Sequence, residues 1–471
     1  MTANPHQDLL RKLPSVSQLL ERAQAEQWLD SAPRPLVTNC LRDALDDLRK
    51  QILADTVGRC GGMHVTSEYV LLRARELLQQ RSEFHVRRAI NATGIILHTG
   101  LGRAVWPECV VDSMIDELKG YVTLAIDRES GLRSDRDHRL EYILTELTGA
   151  EAATLANNNA AATLLVLAAL CAGKEVIVSR GQLIEIGGAF RLPDVMVQSG
   201  CKMVEVGTTN RTHLRDYAAA ITENTAAILR VHPSNYRILG FASQPELGEL
   251  VELAHSKGLV LIDDLGAGAL VDLAQFGLPR EPLMSDSVAA GADIVLASGD
   301  KLMGASQAGV IVGRKPLIQR CRKHPLARAF RVDKTCLMAL ERTLHLFRDV
   351  ELLKKHHPTY IMLGWTVEQL QARADRLAAA IRAAAPNVQV DVVQGPAYLG
   401  SGSLPMEALP SRQVRLTAPN LKTADLARRL RLDDACVFGR IESDALLLDV
   451  RTMTDMQVEP VAAAVGRVVP A

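Results

Sequence analysis

A lysine stands in a turn of small residues directly after a short apolar run. The run is Ile294-Val-Leu-Ala, and the turn is Ser298-Gly-Asp-Lys301-Leu-Met-Gly. Small residues allow another molecule to approach the backbone closely, and an amine among apolar strands becomes nucleophilic because burial lowers its pKa. The pattern favours a Schiff base between Lys301 and an aldehyde cofactor. A lone lysine at a strand end more often only reaches past the strand to water, so further residues must decide between the two interpretations.

Two other polar segments adjoin apolar runs in the same region. Asp263 and Asp264 end the run that starts at Leu259, and Asn157-Asn158-Asn159 precede a long apolar stretch with helical character. A carboxylate at a strand end can keep a pyridine nitrogen protonated, and a helix N-terminus favours a phosphate dianion. Each segment alone is more often a cap, a turn or a polar loop. Phosphate cradle, acid and lysine in this chain order are typical of the aspartate-aminotransferase superfamily of pyridoxal-phosphate enzymes.

The elements that would position these residues form a large α/β domain, predicted over residues 89–350. Short aliphatic runs alternate there with longer helical patterns. Runs that are apolar at nearly every position are typical of strands buried on both faces, and they predict a mostly parallel sheet covered by helices. The runs are Glu175-Val-Ile-Val, Ala226-Ala-Ile-Leu-Arg-Val, Leu259-Val-Leu-Ile, Ile294-Val-Leu-Ala and Val310-Ile-Val.

The two ends of the chain have different patterns. Residues 1–88 repeat apolar residues at spacings of three and four, which predicts helices. Residues 351–471 predict a smaller α+β domain, with one long helix followed by several strands. The N-terminal segment carries a basic excess near its end, and its charge alone fits a solvated helix face as well as an RNA-binding surface. The arginines concerned are Arg73, Arg75, Arg81, Arg87 and Arg88.

The composition excludes several classes of protein. Of the 471 residues, 48% are hydrophobic and 23% charged, which is typical of a globular chain and not of disorder, collagen or a coiled-coil array. Lysine plus arginine and aspartate plus glutamate balance at 54 each, so any nucleic-acid binding must be local. The eight cysteines form no C-x-x-C pair, and no metal site is predicted. We find neither a secretory signal nor a run long enough to span a bilayer, and we expect a cytoplasmic protein with no membrane partner.

Many ordered motifs match one family over nearly the whole chain. They include His98-Thr-Gly-Leu-Gly-Arg-Ala, Thr148-Gly-Ala-Glu, Asn157-Asn-Asn-Ala-Ala, Val231-His-Pro-Ser-Asn-Tyr, Asp264-Leu-Gly, Ser298-Gly-Asp-Lys and Ala329-Phe-Arg-Val-Asp-Lys. With them the sequence resembles the bacterial selenocysteine synthases, or L-seryl-tRNA(Sec) selenium transferases. The resemblance implies an aspartate-aminotransferase-like, fold type I enzyme. It also implies an N-terminal helical domain and a small C-terminal α+β domain.

The resemblance assigns roles to individual residues. It implies that Lys301 binds pyridoxal 5′-phosphate as a Schiff base and removes the Cα proton of the substrate, and that Asp264 faces the pyridinium nitrogen. It implies four residues that hold the cofactor phosphate, namely Asn157, Asn158, Asn159 and Ser298. It further implies three arginines that hold the phosphate of the selenium donor, selenophosphate, namely Arg103, Arg328 and Arg331.

The activity implied by the resemblance converts seryl-tRNA(Sec) to selenocysteinyl-tRNA(Sec), by elimination of water and addition of selenium from selenophosphate. The family assigns tRNA recognition to the N-terminal domain, residues 1–88, and suggests a homo-oligomeric ring of dimers such as a decamer. Two alternatives stay open. One is a pyridoxal-phosphate-dependent lyase of the same fold that acts on a free amino acid or sugar acid, and does not need an RNA-binding domain. The other is a non-catalytic RNA-binding scaffold, which does not need Lys301 together with Asp264.

Overall fold

The structure is a computed structural model that describes residues 5–54, 66–84, 86–187, 190–236, 238, 240–401 and 403–469. The chain separates into two compact units, residues 1–88 and residues 89–471. Among the described residues, no helix is long and apolar enough to cross a membrane.

The first unit is helical because apolar residues recur every three or four positions along it. Leu41, Leu45 and Leu48, for example, share one buried face of a long helix. A capping box between Ser15 and Gln18 satisfies the free N–H groups at the start of another helix. The helices are α1 Pro5–Arg11, α2 Val16–Ala25, α3 Trp28–Ser31, α4 Arg34–Ala54 and α5 Ser67–Ser82.

The second unit contains strands and helices in alternation. In chain order, its strands are β1 Ile90–Asn91, β2 Ala152–Ala156, β3 Glu175–Ser179, β4 Glu185–Ile186, β5 Phe190–Arg191, β6 Lys202–Val206, β7 Thr225–Val231, β8 Val260–Gly266, β9 Ile294–Ser298, β10 Gly309–Gly313, β11 Gln389–Gly400, β12 Ser403–Thr417, β13 Val437–Phe438, β14 Arg440–Glu442 and β15 Ala445–Asp449. Its α-helices are α6 Glu108–Leu118, α7 His138–Thr148, α8 Asn159–Cys171, α9 Leu192–Gln198, α10 Leu214–Ala220, α11 Leu247–Ser256, α12 Met284–Ala289, α13 Lys315–Lys323, α14 Pro325–Ala329, α15 Lys334–His345, α16 Val350–His356, α17 Pro358–Gly364, α18 Val367–Ala384, α19 Thr423–Leu432 and α20 Val458–Val468.

Seven strands form the large sheet, in the order β2-β10-β9-β8-β7-β3-β6. The strands from β9 to β6 are parallel, whereas β10 is antiparallel to both of its neighbours. Every residue of β9 and β10 is buried, as expected of strands covered on both faces. The sheet is therefore mostly parallel, as predicted, although the prediction omitted β2 and β6. Because β2, β7, β8 and β9 run in one direction, their carboxyl ends meet at one edge, where ligands bind in open α/β sheets.

A second, antiparallel sheet has the order β11-β12-β15-β14. It packs with α18, α19 and α20 around a core that includes Leu377, Leu446 and Val461. The short strand β1 pairs in parallel with β13, and Ile90 is buried in this same core. Residues 90–92, which the sequence placed at the start of the large domain, thus contribute to the core of the smaller sheet.

Candidate active site

Lys301 lies in the turn after β9, at the carboxyl edge of the large sheet, and is 6% exposed. Burial lowers the pKa of its amine, and the positive charge of Arg103 lowers that pKa further. The carboxylates of Asp264 and Asp300 act in the opposite direction. An amine with a lowered pKa is more often uncharged at neutral pH and therefore attacks an aldehyde more readily.

Asp264 stands at an irregularity of β8, where the pairing with β9 shifts between Asp264 and Gly266. Its carboxylate is buried and accepts three hydrogen bonds. Oδ1 accepts from Asn159 Nδ2 at 2.9 Å and from the Gly266 N–H at 3.1 Å, and Oδ2 accepts from the Thr163 hydroxyl at 3.1 Å. Burial raises the pKa of Asp264, and these bonds counteract the rise. A bound cofactor with a protonated pyridine nitrogen opposite Asp264 would supply a positive charge, and that charge would keep the carboxylate ionised.

The preceding residue of β8, Asp263, points to the other face of the sheet. Successive side chains of a strand point to opposite faces, and Asp263 is fully buried on the face away from Asp264. It accepts from Arg230 Nη1 at 2.8 Å and from the Ser287 hydroxyl at 2.6 Å. These contacts tie β8 to β7 and α12, so Asp263 has a structural role.

The three predicted asparagines occupy the connection between β2 and α8. Asn158 caps α8 with its side-chain oxygen, and Asn157 directly follows β2. Asn159 donates to Asp264, while its own Oδ1 is buried and lacks a partner among the described residues. A buried oxygen without a partner is an open position for a donor from a bound molecule. Ser298, the fourth predicted phosphate ligand, ends β9 and is buried at the same edge.

Gly266 leaves space beside the lysine. Its φ of +64° is a conformation that glycine adopts without strain. A Cβ atom on this residue would lie 3.4 Å from Ser234 Oγ and 3.9 Å from Lys301 Nζ. The missing side chain thus keeps open the space between β8 and the lysine.

Arg103 is held next to the lysine by an ion pair. Its Nη1 lies 2.7 Å from Oδ2 of Asp300, the residue before Lys301. The backbone of Arg103 has a φ of +63°, which costs free energy for a residue with a side chain. Such strain is common at functional sites.

Arg328 and Arg331 gather elsewhere, around Arg136. The positive charges of Arg331 and Arg328 lower the pKa of Arg136, after burial as the largest cause. Arg331 and Arg136 also line one small cavity beside β2. This segment is joined to the asparagines, because the Asn157 N–H donates to the carbonyl of the residue before Arg331 at 2.9 Å. The structure thus places the three predicted arginines in two groups, with Arg103 at the lysine.

Arg136 is a candidate that the sequence reasoning missed. Arginines repel one another unless an anion joins them, and a guanidinium binds phosphate through paired hydrogen bonds. The Ser134-Asp-Arg136 segment shows no pattern of its own, so only the fold reveals the cluster. Over the described ranges, no group of histidine, cysteine, aspartate and glutamate side chains could hold a metal ion.

Comparisons with known proteins agree with this geometry. The family described as "L-seryl-tRNA selenium transferase" matches residues 89–454, and "Selenocysteine synthase N terminal" matches residues 10–49. The chain is 44% identical to the L-seryl-tRNA(Sec) selenium transferase of Caldanaerobacter subterraneus subsp. tengcongensis, over 98% of this chain and 99% of the relative. It is also 44% identical to that of Rhizobium meliloti, over 95% of each chain.

A solved structure, D-glucosaminate-6-phosphate ammonia-lyase, is similar in fold. The TM-score is 0.55 at 23% sequence identity, over 83% of this chain and 97% of that chain. Together with the sheet order, this likeness confirms the predicted aspartate-aminotransferase-like fold.

Proposed function

Since the chain belongs to the L-seryl-tRNA selenium transferase family, we propose that it converts seryl-tRNA(Sec) to selenocysteinyl-tRNA(Sec) with selenium from selenophosphate. The observation that carries the proposal is the buried Lys301 beside the buried, triply hydrogen-bonded Asp264. An amine with a lowered pKa and a buried carboxylate at one sheet edge are the two groups that chemistry at the Cα of an amino acid requires.

Pyridoxal 5′-phosphate is the cofactor of this family, and the site fits it. The unpartnered Oδ1 of Asn159 and the space left by Gly266 are both at the sheet edge that carries Lys301. Lys301 would bind the aldehyde carbon and Asp264 the ring nitrogen. The phosphate would lie on the capped start of α8, near Asn158 and Ser298. When bound, the cofactor withdraws electrons from the Cα of the seryl group.

The residues of the chain then perform the proton transfers. Lys301 removes the proton from Cα, which its lowered pKa allows at neutral pH. The bond between Cβ and the hydroxyl oxygen breaks, and the oxygen leaves as water. The selenium of selenophosphate then adds to the same Cβ, and Lys301 returns the proton to Cα. Water cleaves the P–Se bond, and phosphate departs.

The arginines are the proposed binding residues for selenophosphate. Arg103 lies next to the lysine, where the reacting Cβ must be. Arg328, Arg331 and Arg136 form a concentration of positive charge that a dianion would stabilise. In a homo-oligomeric ring of dimers, such as a decamer, arginines of one subunit could complete the site of a neighbour.

The first unit is the proposed tRNA-binding domain. Part of its basic excess is neutralised internally, because Arg73 contacts Glu76 at 2.8 Å and Arg81 contacts Asp43 at 2.7 Å. Recognition would therefore depend on the shape of the RNA as well as on charge. We place the protein in the cytoplasm, where aminoacyl-tRNA is made and used.

A substrate comparison in the absence of selenium tests the proposal against the lyase alternative. The protein is incubated with seryl-tRNA(Sec), with free serine and with an amino sugar acid, and the 2-oxo acid released after alkaline hydrolysis is measured. The product is pyruvate from the seryl group or serine, and a 2-oxo-3-deoxy acid from the sugar acid. We expect elimination from seryl-tRNA(Sec) alone, and none by the Lys301→Ala variant. Elimination from free serine or the sugar acid, with none from seryl-tRNA(Sec), would establish the lyase. A protein that eliminates nothing and binds no cofactor would be the scaffold.

A further inference from the structure

A partly buried histidine and a buried glutamate form a pair that the chemistry above does not use. His232 Nε2 lies 3.1 Å from Glu281 Oε2, and the two side chains are 18% and 8% exposed. Removing a carboxylate from water is costly unless the carboxylate is paired. Apolar residues of similar volume at such a place usually give a fold of equal or greater stability. The stability of the fold therefore does not explain the pair, and we look for a function.

The pair lies at the sheet edge that carries the lysine. His232 directly follows β7, and its backbone N–H donates to the carbonyl of Asp264 at 2.8 Å. The N–H of Ser234 donates in turn to the carbonyl of His232 at 2.8 Å. The hydroxyl of Ser234 and Lys301 Nζ are both within 4 Å of the point that a Cβ on Gly266 would occupy. A tight turn from His232 to Ser234 thus connects the histidine to the space beside Lys301.

One cavity is lined by the pair and by the serine of this turn. His232, Ser234 and Glu281 line a cavity of about 370 Å³, a size typical of small-molecule sites. Tyr236 and Arg280 line it as well. The Tyr236 hydroxyl donates to a backbone carbonyl, and a guanidinium does not release its proton at neutral pH. The His232–Glu281 pair is therefore better suited to proton transfer than these neighbours.

We propose that His232, held by Glu281, donates the proton with which the seryl hydroxyl leaves; this inference rests on the proposed function. Hydroxide is a poor leaving group, and Lys301 is occupied with the Cα proton. With Nε2–H bonded to Glu281, the Nδ1–H of the doubly protonated ring remains for the substrate. As the bond between Cβ and oxygen breaks, that proton joins the oxygen and water departs. The neutral imidazole regains a proton from solvent.

The pairing itself is tested in the cofactor-free protein. Imidazole NMR with ¹⁵N-labelled histidine identifies the His232 signals by their loss in His232→Gln. We expect a hydrogen-bonded Nε2–H proton that shifts in Glu281→Gln and stays in place in His255→Gln. His255 is a matched control because its Nε2 lies 3.1 Å from Asp293 Oδ2, at the opposite ends of the strands. An unchanged His232 signal in Glu281→Gln would overturn the pairing.

The role in catalysis is tested by changing the leaving group. Elimination from seryl-tRNA(Sec) is compared with elimination from 3-chloroalanyl-tRNA(Sec), because chloride leaves without a proton. His232→Gln should slow the seryl reaction roughly 10²- to 10³-fold, as loss of a general acid does. The chloroalanyl reaction, and deuterium exchange at the seryl Cα in D₂O, should change less than about threefold. If His232→Gln binds no cofactor, Glu281→Gln provides the same comparison, with a smaller loss expected.

The remaining outcomes separate the alternatives. Equal losses with both leaving groups would make His232 a structural residue and overturn the proposal. An unchanged seryl reaction would assign the proton to another donor, such as Lys301, and would also overturn it. A wild-type protein that neither exchanges nor eliminates would refute the proposed function, and this inference with it.

Discussion

Replacing Asp264 with asparagine separates the charge of the carboxylate from its shape. The side chain is 5% exposed and accepts hydrogen bonds from Asn159, Gly266 and Thr163. An asparagine fits the same space, because its oxygen can accept from Asn159 and Gly266 and its NH₂ can donate to the Thr163 hydroxyl. We expect Asp264→Asn to fold and to bind pyridoxal 5′-phosphate, but to lack the negative charge opposite the ring nitrogen.

The magnitude follows from the burial of the carboxylate. Breaking a buried ion pair typically costs about 3–5 kcal/mol. If the transition state for Cα proton removal loses this amount, at about 1.36 kcal/mol for each factor of ten, the rate falls roughly 150- to 5,000-fold. The affinity for tRNA should change little, since Asp264 is buried and does not lie at the surface.

Deuterium exchange at the seryl Cα in D₂O, followed by mass spectrometry of the released serine, measures this rate. Cofactor absorbance shows that the variant is loaded. The matched control is Asp263→Asn, which breaks the 2.8 Å ion pair with Arg230 on the other face of β8. It should lower thermal stability and leave exchange by the folded protein unchanged. Exchange by Asp264→Asn within threefold of wild type, or an equal loss in Asp263→Asn, would show that the charge of Asp264 does not assist removal of the Cα proton.

Borohydride reduction of the loaded protein should fix the pyridoxyl group on Lys301, and peptide mapping that finds it on another lysine would place the site elsewhere. Arg103→Met should raise the pKa of Lys301, because it removes a nearby positive charge and leaves Asp300 unpaired beside the amine; acylation of Lys301 in the cofactor-free protein should then require higher pH, and a shift to lower pH would contradict this. Arg331→Ala should raise KM for selenophosphate about tenfold or more without changing Cα exchange, and an unchanged KM would remove this arginine from the donor site. Deleting residues 1–85 should leave a cofactor-binding protein that has lost most of its affinity for tRNA(Sec), and filter binding over a salt series that shows unchanged affinity would move recognition to the rest of the chain.

The central strands could be predicted because they are apolar at nearly every position. Ile294–Ser298 is buried on both faces, and a parallel sheet makes such runs stand out. The two strands that the sequence did not predict, β2 and β6, lack this pattern. Ala152–Ala156 is mostly alanine, which has low strand propensity. Lys202–Val206 lies at the edge of the sheet and has charged residues, Lys202 and Glu205, at two of its five positions.

The site was predictable only in part. The turn that holds Lys301 is local, so its sequence favours a Schiff-base lysine once the segments at Asp264 and Asn157 are read together with it. The choice of Asp264 over Asp263 came from the family resemblance, because alternation places the two on opposite faces without showing which face carries the site. The contact between Asn159 and Asp264 and the grouping of Arg136 with Arg331 join residues far apart in the chain. Only the folded sheet edge brings them together.

In the proposed reaction, this protein replaces the hydroxyl of tRNA-bound serine with selenium. The most direct measurement incubates it with seryl-tRNA(Sec) and ⁷⁵Se-labelled selenophosphate, recovers the tRNA, and identifies the amino acid released from its ester. We expect labelled selenocysteine from the wild-type protein and none from Lys301→Ala. Recovery of unlabelled serine alone from a cofactor-loaded protein would contradict the proposed reaction.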